Sequence, residues 1–92
     1  VAYIYSNDKN NFLITKDNNK YIINYTIKDL ETLLNPNQFF KLSRKCISSF
    51  SAIREIIKHL NGQLKITLNP KCELDIFVSR ENVQEFLDWL NK

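Results

Sequence analysis

The feature that most constrains this chain is a series of short segments rich in β-branched and aromatic residues, separated by turns of asparagine, aspartate and lysine. Short runs of this composition predict strands, and their regular spacing predicts an antiparallel meander. The chain has one glycine and two prolines, so its turns must come largely from Asn, Asp and Lys. The first predicted strands are VAYIYS (1–6), FLITK (12–16) and KYIINY (20–25), with NDKNN (7–11) and DNN (17–19) as turns.

The period of the apolar residues then changes from that of a strand to that of a helix. In TIKDLETLLNP the apolar residues recur at helical spacing, at Ile27, Leu30, Leu33 and Leu34. Thr26, followed three residues later by Asp29, resembles a capping box at the start of this helix. Pro36 ends it, because the residue before a proline avoids the α region. The segment is therefore predicted to be a short amphipathic helix.

The second half of the chain returns to strands. Three further strands are predicted at FFKLS (39–43), KCISSF (45–50) and, less regularly alternating, IREIIKHL (53–60). Asn61 followed by Gly62 is the strongest hairpin signal in the chain. Beyond it, residues 64–68 alternate between apolar and polar side chains, which predicts a half-buried strand. Residues 74–78 alternate in the same way and are its predicted partner.

A closing helix is predicted from the last apolar series, Val83, Phe86, Leu87 and Leu90. Ser79 is its predicted N-cap, which makes Arg80 the first helical residue. The order is strands, helix, strands, helix, without alternating β-α units. This order predicts a mostly antiparallel β fold with a short central helix and a C-terminal helix that docks on the sheet.

Little in the sequence supports catalysis. No serine lies in a nucleophile elbow, and a single glycine cannot build a phosphate-cradling loop. The spacing of Cys46, His59 and Cys72 matches no zinc pattern, and three ligands would leave a structural site incomplete. We therefore expect no enzymatic activity, no cofactor and no metal, and two reduced thiols in a cytoplasmic protein. No segment approaches the roughly 20 apolar residues of a membrane span, so no membrane contact is expected.

The cations of the chain suggest a different chemistry. The net charge is +3 at pH 7. Arg44 lies beside Lys45 at the junction of two predicted strands, and Arg80 lies at a predicted helix start, where exposed N–H groups favour anions. Arginine offers a fork of donors that matches phosphate oxygens or guanine. The first turn adds Lys9, Asn10 and Asn11 at a tip. Each residue alone is more typical of a solvated turn, and only the combination favours nucleic acid.

The segment FFKLSRK divides its residues between two faces. Strand alternation places Phe40 and Leu42 on one face, where we expect them to anchor the core. Lys41 and Ser43 share the other face. Phe39 falls on that second face, so alternation leaves its burial open.

The order of these motifs resembles a known family. FFKLSRKCISSFSAI resembles the central signature of LytTR domains, the DNA-binding modules of LytR/AgrA-type response regulators. The matching positions are Phe39, Phe40, Arg44 and Ile53. The departures are Lys41 in place of arginine, Ser43 in place of His or Asn, and Ser48-Ser49 in place of Val-Asn. VSRENVQEFLDWL is similar to the family's C-terminal segment, and the opening hairpins and short helix are similar to its N-terminal part.

The resemblance implies an elongated fold of small antiparallel sheets that reads double-stranded DNA through loops and strand ends. The turn ending at Asn11 would reach one major groove, Arg44 would lie near the centre, and Arg80 would enter an adjacent major groove. Lys41 and Lys45 would contact phosphates. The full set of DNA-binding residues that the resemblance implies is Lys9, Asn10, Asn11, Lys41, Ser43, Arg44, Lys45, Arg80 and Asn82.

The resemblance also implies the output domain of a bacterial transcription regulator in a two-component system. We expect residues 1–92 to form a single domain excised from a longer regulator, with a receiver or sensor domain before it. Binding as a homodimer on repeated half-sites is a further expectation. The alternative, suggested by the departures at Ser43 and Ser48-Ser49, is a LytTR-like protein-interaction or sensor-coupled module without DNA binding.

Overall fold

The computed structural model describes residues 1–92 and contains eight strands and two α-helices. The strands are β1 (Tyr3–Asn7), β2 (Asn10–Ile14), β3 (Lys20–Ile23), β4 (Phe39–Ser43), β5 (Cys46–Ser49), β6 (Ile53–Lys58), β7 (Leu64–Leu68) and β8 (Ile76–Val78). The helices are α1 (Ile27–Leu33) and α2 (Val83–Leu90). The prediction of a mostly β fold with a central and a C-terminal helix is confirmed. The molecule is longest along one axis, with extents of 32 × 24 × 24 Å.

The strands form two sheets in which every pair is antiparallel. The five-stranded sheet has the order β3-β2-β1-β5-β4, and the three-stranded sheet has the order β6-β7-β8. The predicted meander of the first three strands is therefore confirmed, and β5 joins it next to β1. The predicted hairpin at Asn61 and Gly62 is also confirmed, although β6 ends at Lys58 rather than at residue 60.

The first turn is shorter than the sequence predicts. Asn7 pairs with Asn10, so only Asp8 and Lys9 lie outside the strands. Asp8 adopts a φ of 57°, a conformation that aspartate tolerates better than most residues, and this lets the chain reverse within two residues. Asn11, predicted to be a turn residue, therefore lies inside β2.

The two faces of the five-stranded sheet cover separate apolar clusters. The larger cluster lies between the two sheets and α2, and β4 contributes Leu42 to it, with Phe40 packed against it. The smaller cluster consists of Ile4, Leu30 and Ile47, and it places α1 on the opposite face of the sheet. Phe39 is half-buried against this smaller cluster. The predicted core role of Phe40 and Leu42 is confirmed, and Phe39 is partly covered because α1 packs on the face that would otherwise meet water.

The helix α1 begins as its capping box predicts. The Asp29 N–H donates to Thr26 Oγ1 at 3.0 Å, and the Thr26 N–H donates to Asp29 Oδ2 at 3.4 Å. This reciprocal pair satisfies two N–H groups that a helix start leaves without intrahelical partners. The helix ends before Pro36, in agreement with the prediction.

The helix α2 begins later than predicted. Residues Arg80–Asn82 form a turn of 3-10 helix, and α2 starts at Val83, so Arg80 is not the first residue of an α-helix. The Ser79 hydroxyl makes no capping bond to the backbone. It accepts instead from the side-chain amide of Asn82, with Nδ2 at 3.1 Å from Oγ. This contact occupies the hydroxyl that the sequence suggested as a cap.

The helix α2 docks on the sheet through aromatic side chains, as predicted. The ring of Phe40 in β4 lies 5.6 Å from that of Phe86 and 5.3 Å from that of Trp89. The Trp89 indole N–H donates to the Pro36 carbonyl at 2.9 Å. The hydrogen bond and the ring contacts together hold the C-terminal helix against β4 and against the loop that leads into it.

Candidate nucleic-acid interface

The turns β1–β2 and β4–β5 lie at the same end of the five-stranded sheet. Because β1 pairs antiparallel with β5, the end of β1 meets the start of β5. The Ser6 N–H donates to the Lys45 carbonyl at 2.8 Å, which joins the two hairpins at their tips. Lys9 on one turn, and Arg44 and Lys45 on the other, are exposed. The fold therefore brings together three cations that were predicted to bind DNA, and they come from two segments far apart in sequence.

The β4–β5 turn is braced by one of its own side chains. The Lys45 N–H donates to Ser43 Oγ at 3.2 Å. Ser43 is half-buried, and a register shift between Lys41 and Ser43 marks a bulge just before the turn. Bulges re-aim strand ends. Ser43, predicted as a DNA-binding residue, is thus placed to support the turn that carries Arg44.

A groove of about 700 Å³ runs between α1, the β4–β5 hairpin and one side of α2. Ser43, Arg44 and Asn82 all line it. Its charged side chains are three cations and three anions, namely Lys41, Arg44, Lys92, Glu31, Glu85 and Asp88. The charges inside the groove therefore balance, and the hairpin tips add Lys9 and Lys45 against the single anion Asp8.

Lys41 forms an ion pair that the sequence did not indicate. Its Nζ lies 3.0 Å from Glu31 Oε1 of α1. Both side chains are more than a third exposed, and exposed pairs of this kind contribute about 0–1 kcal/mol. The helix α1 thus offsets the charge of Lys41. In contrast, no ion pair involves Arg44, Lys45 or Arg80.

The three polar residues assigned to the first tip differ in their surroundings. Lys9 and Asn10 are exposed. The side-chain amide of Asn11 donates to the Tyr25 carbonyl, so it holds the segment after β3 against β2. The sequence had predicted that Asn11 presents its amide at the tip. This placement is wrong, because the turn is short and Asn11 lies inside the strand.

Arg80 stands apart from the other predicted residues. It is exposed at the start of the 3-10 turn that follows β8, and it does not line the groove. Asn82, two residues later, lines the same groove as Arg44. The predicted set thus separates into a group at the hairpin tips and groove, and a single arginine on the adjoining sheet.

A polar cluster beneath the β1–β2 hairpin was not predicted. Lys20 Nζ lies 3.7 Å from Glu73 Oε2 and 4.3 Å from the centre of the Phe12 ring. The Asn7 amide donates to Glu73 Oε1 at 2.7 Å and, together with Tyr5 and Lys20, lowers the pKa of that carboxyl. A hydrogen bond with Tyr5 raises the pKa of Lys20. The cluster ties the hairpin to the loop before β8.

The two cysteines and the histidine are the remaining reactive side chains, and they make packing contacts. Both cysteines are free, Cys46 is buried and Cys72 is half-buried, and burial raises the pKa of both thiols. His59 packs against the Phe77 ring at 4.8 Å. No group of three or more His, Cys, Asp or Glu side chains is placed to hold a metal ion. None of the helices has the length and apolar character needed to cross a bilayer.

Comparison with known proteins agrees with this architecture. A sequence model described as the LytTr DNA-binding domain matches residues 1–91. A solved LytTr DNA-binding domain from Bacillus cereus has a TM-score of 0.82 and 18% identity, with 100% of this chain and 82% of that chain covered. At this identity the structural match establishes the fold. No curated protein matches. Since the family model spans nearly the whole chain, the protein belongs to the LytTR family of DNA-binding domains.

Proposed function

We propose that this domain binds double-stranded DNA in a sequence-specific manner, as the output domain of a bacterial transcription regulator. The observation that carries the proposal is the exposed, unpaired cationic group formed by Lys9, Arg44 and Lys45 at one end of the sheet. Phosphate contacts provide most of the affinity for DNA, and base contacts provide the specificity. A domain of the LytTR family that displays both lysine and arginine at turn tips has the groups for each task.

The chemistry of each side chain indicates whether it would contact a base or a phosphate. The planar fork of Arg44 can pair with O6 and N7 of guanine in the major groove, and Asn82, which lines the same groove, can pair with adenine. Arg80, on the adjoining sheet, would read a second major groove. Lys9 and Lys45 would hold phosphates, as would Lys41 once its pair with Glu31 opens.

Neither helix has the exposed face of a recognition helix, because anions on that face would be repelled by phosphates. The exposed side chains of α2 include Glu85 and Asp88, while Phe86 and Trp89 are buried against β4. The helix α1 packs on the sheet through Leu30 and exposes Asp29 and Glu31. Readout through turns and strand ends is therefore the mode that fits this fold. We further propose an adjoining receiver or sensor domain and binding as a homodimer to half-sites about one helical turn apart.

The experiment that tests this proposal is selection of bound sequences from a random DNA pool, followed by affinity measurement over a range of salt. We expect a defined sequence to emerge, and log affinity to fall with log salt by about 0.9 per neutralised phosphate. Arg44→Ala and Arg80→Ala should each cost roughly 1–3 kcal/mol on the selected sequence. Arg54→Ala is the matched control, since Arg54 is exposed on β6 and outside the proposed set. Full affinity in both variants would contradict the residue assignment.

A second candidate is a LytTR-like protein-interaction or sensor-coupled module that does not bind DNA. Two observations favour it, namely the ion pair that offsets Lys41 and the presence of Glu85 and Asp88 in the groove. A gel shift at low salt against the upstream region of its own operon separates the candidates. The absence of any shifted band would favour the interaction module.

A further inference from the structure

The only glycine of the chain lies against the side chain of Arg80. Gly62 belongs to the Leu60–Gly62 turn between β6 and β7 and has a φ of +77°. A Cβ atom built on it would lie 2.8 Å from both Cγ and Cδ of Arg80, and 3.6 Å from its Cβ. Non-bonded carbon atoms do not approach this closely, so a side chain at position 62 would force the aliphatic stem of Arg80 to shift.

The sheet register explains why these two residues meet. The strands β7 and β8 are antiparallel, and Leu64 pairs with Val78. Two residues before Leu64 comes Gly62, and two residues after Val78 comes Arg80, so continuing the register places one opposite the other. Strand pairing therefore brings the backbones of the two residues together, and the stem of Arg80 lies over Gly62.

Two features of position 62 favour glycine. Side chains rarely adopt a φ of +77°, so any other residue would strain the turn. Asn61, the preceding residue, also has a positive φ, of 61°, which asparagine tolerates with little cost. The feature that position 62 has in addition is the stem of Arg80 lying over it.

We propose that Gly62 is a positioning residue for Arg80 in DNA recognition. The methylene groups of Arg80 pack on the bare backbone of Gly62. This contact limits the directions in which the guanidinium can point. Ordering a long side chain on binding has an entropic cost, and a side chain that is already confined incurs less of it. The inference rests on the proposed function, because it assumes that Arg80 contacts DNA.

The test compares Gly62→Ala with Asn61→Ala in the purified chain. Both variants place alanine at a positive φ, but only the first adds a carbon atom against Arg80. The probes are a duplex carrying the sequence selected from the random pool and a scrambled duplex of equal length. We expect Gly62→Ala to weaken binding to the selected duplex by about two- to tenfold. Asn61→Ala should leave it unchanged, and neither should alter binding to the scrambled duplex, which depends on phosphate charge.

A double-mutant cycle separates positioning from a general effect on the fold. In an Arg80→Ala background the stem is gone, so Gly62→Ala should cause no additional loss. An equal loss in both backgrounds would overturn the positioning role, because the alanine would then act through the turn. If Arg80→Ala weakens binding while Gly62→Ala does not, the positioning role fails and DNA binding stands. If the unaltered chain does not bind DNA, both proposals fail.

A measurement on the unaltered protein keeps the proposal testable should Gly62→Ala not fold. Nitrogen relaxation of the arginine Nε–H groups reports side-chain motion on the ps–ns timescale. We expect Arg80 to be more restricted than Arg54, which is exposed on β6. Equal mobility of the two side chains would overturn the proposal.

Discussion

Arg44 and Arg80 both lie on turns at strand ends, but different contacts hold the two residues in place. Arg44 is supported through its strand, because Phe40 in β4 packs against Trp89 of α2 and Ser43 braces the turn. Arg80 is supported at its own side chain, where the stem lies on Gly62. A side chain on a turn can therefore be placed by the backbone beneath it or by a neighbouring surface, and the two arrangements should respond differently to mutation.

The largest effect is expected from removing the support beneath Arg44. Trp89 is 7% exposed and packs against three aromatic rings, so Trp89→Ala should lower the free energy of unfolding by about 3–5 kcal/mol. Denaturant unfolding measures this change. Phe50→Ala is the matched control, since Phe50 touches the same indole but is 55% exposed. Equal losses in the two variants would show that the Trp89 cluster does not hold β4.

The next effect distinguishes base reading from phosphate contact at the two arginines. Arg44→Lys and Arg80→Lys keep the positive charge and remove the planar fork. At a position that reads guanine, the change should cost roughly 1–3 kcal/mol of affinity for the selected duplex while the salt slope stays the same. Fluorescence anisotropy across a salt series provides both values, with Arg54→Lys as the control. An arginine whose replacement by lysine changes nothing would not read a base.

A smaller effect of opposite sign is expected near Arg44. Glu31→Gln removes the carboxylate that pairs with Lys41 and should change stability by no more than about 1 kcal/mol. DNA affinity should rise, and the salt slope should steepen by up to about 0.9 as Lys41 becomes free for a phosphate. Asp75→Asn is the control, because it opens the Lys65–Asp75 pair on the other sheet. An unchanged slope for Glu31→Gln would exclude Lys41 from the interface.

The smallest effect concerns the β1–β2 hairpin beside Arg44. The Asn7 amide lowers the pKa of Glu73, so the charged carboxylate stabilises the fold. This stabilisation is present above the unfolded-state value of about 4.3 and is lost as pH falls through the lowered folded-state value. Thermal melts at pH 7 and pH 3 should therefore differ less for Glu73→Gln than for the unaltered chain. Glu55→Gln, at an exposed residue without an ion pair, serves as the control. An unchanged difference would mean that the Asn7 contact does not persist in solution.

The predictions that succeeded rest on local patterns. Strand alternation identified Phe40 and Leu42 as core residues, and Leu42 is 1% exposed. The capping box at Thr26 and the hairpin at residues 61 and 62 also follow from neighbours in sequence. In each case the residues that determine the local structure lie within a few positions of one another, so a short stretch of sequence is enough to predict it.

The predictions that failed, and the contacts that were missed, involve distant partners. Asn11 was assigned to a turn tip, and its amide bonds to the Tyr25 carbonyl. The ion pair between Lys41 and Glu31 was missed, and the assignment of Lys41 to a phosphate stays a prediction. A polar side chain has several acceptable partners, and only the packing of helix on sheet decides which one lies in reach.

The strands, the helices and the hairpin positions could be predicted from periodicity and turn chemistry, which act over short distances, except that α2 begins at Val83 rather than at Arg80. Which cations remain unpaired, and which share one end of the molecule, depends on the tertiary structure. The tertiary structure also decided that Gly62 lies beneath Arg80, since that contact depends on the register of β7 against β8. Register and packing depend on how separate segments meet in space, so they cannot be predicted from any single segment.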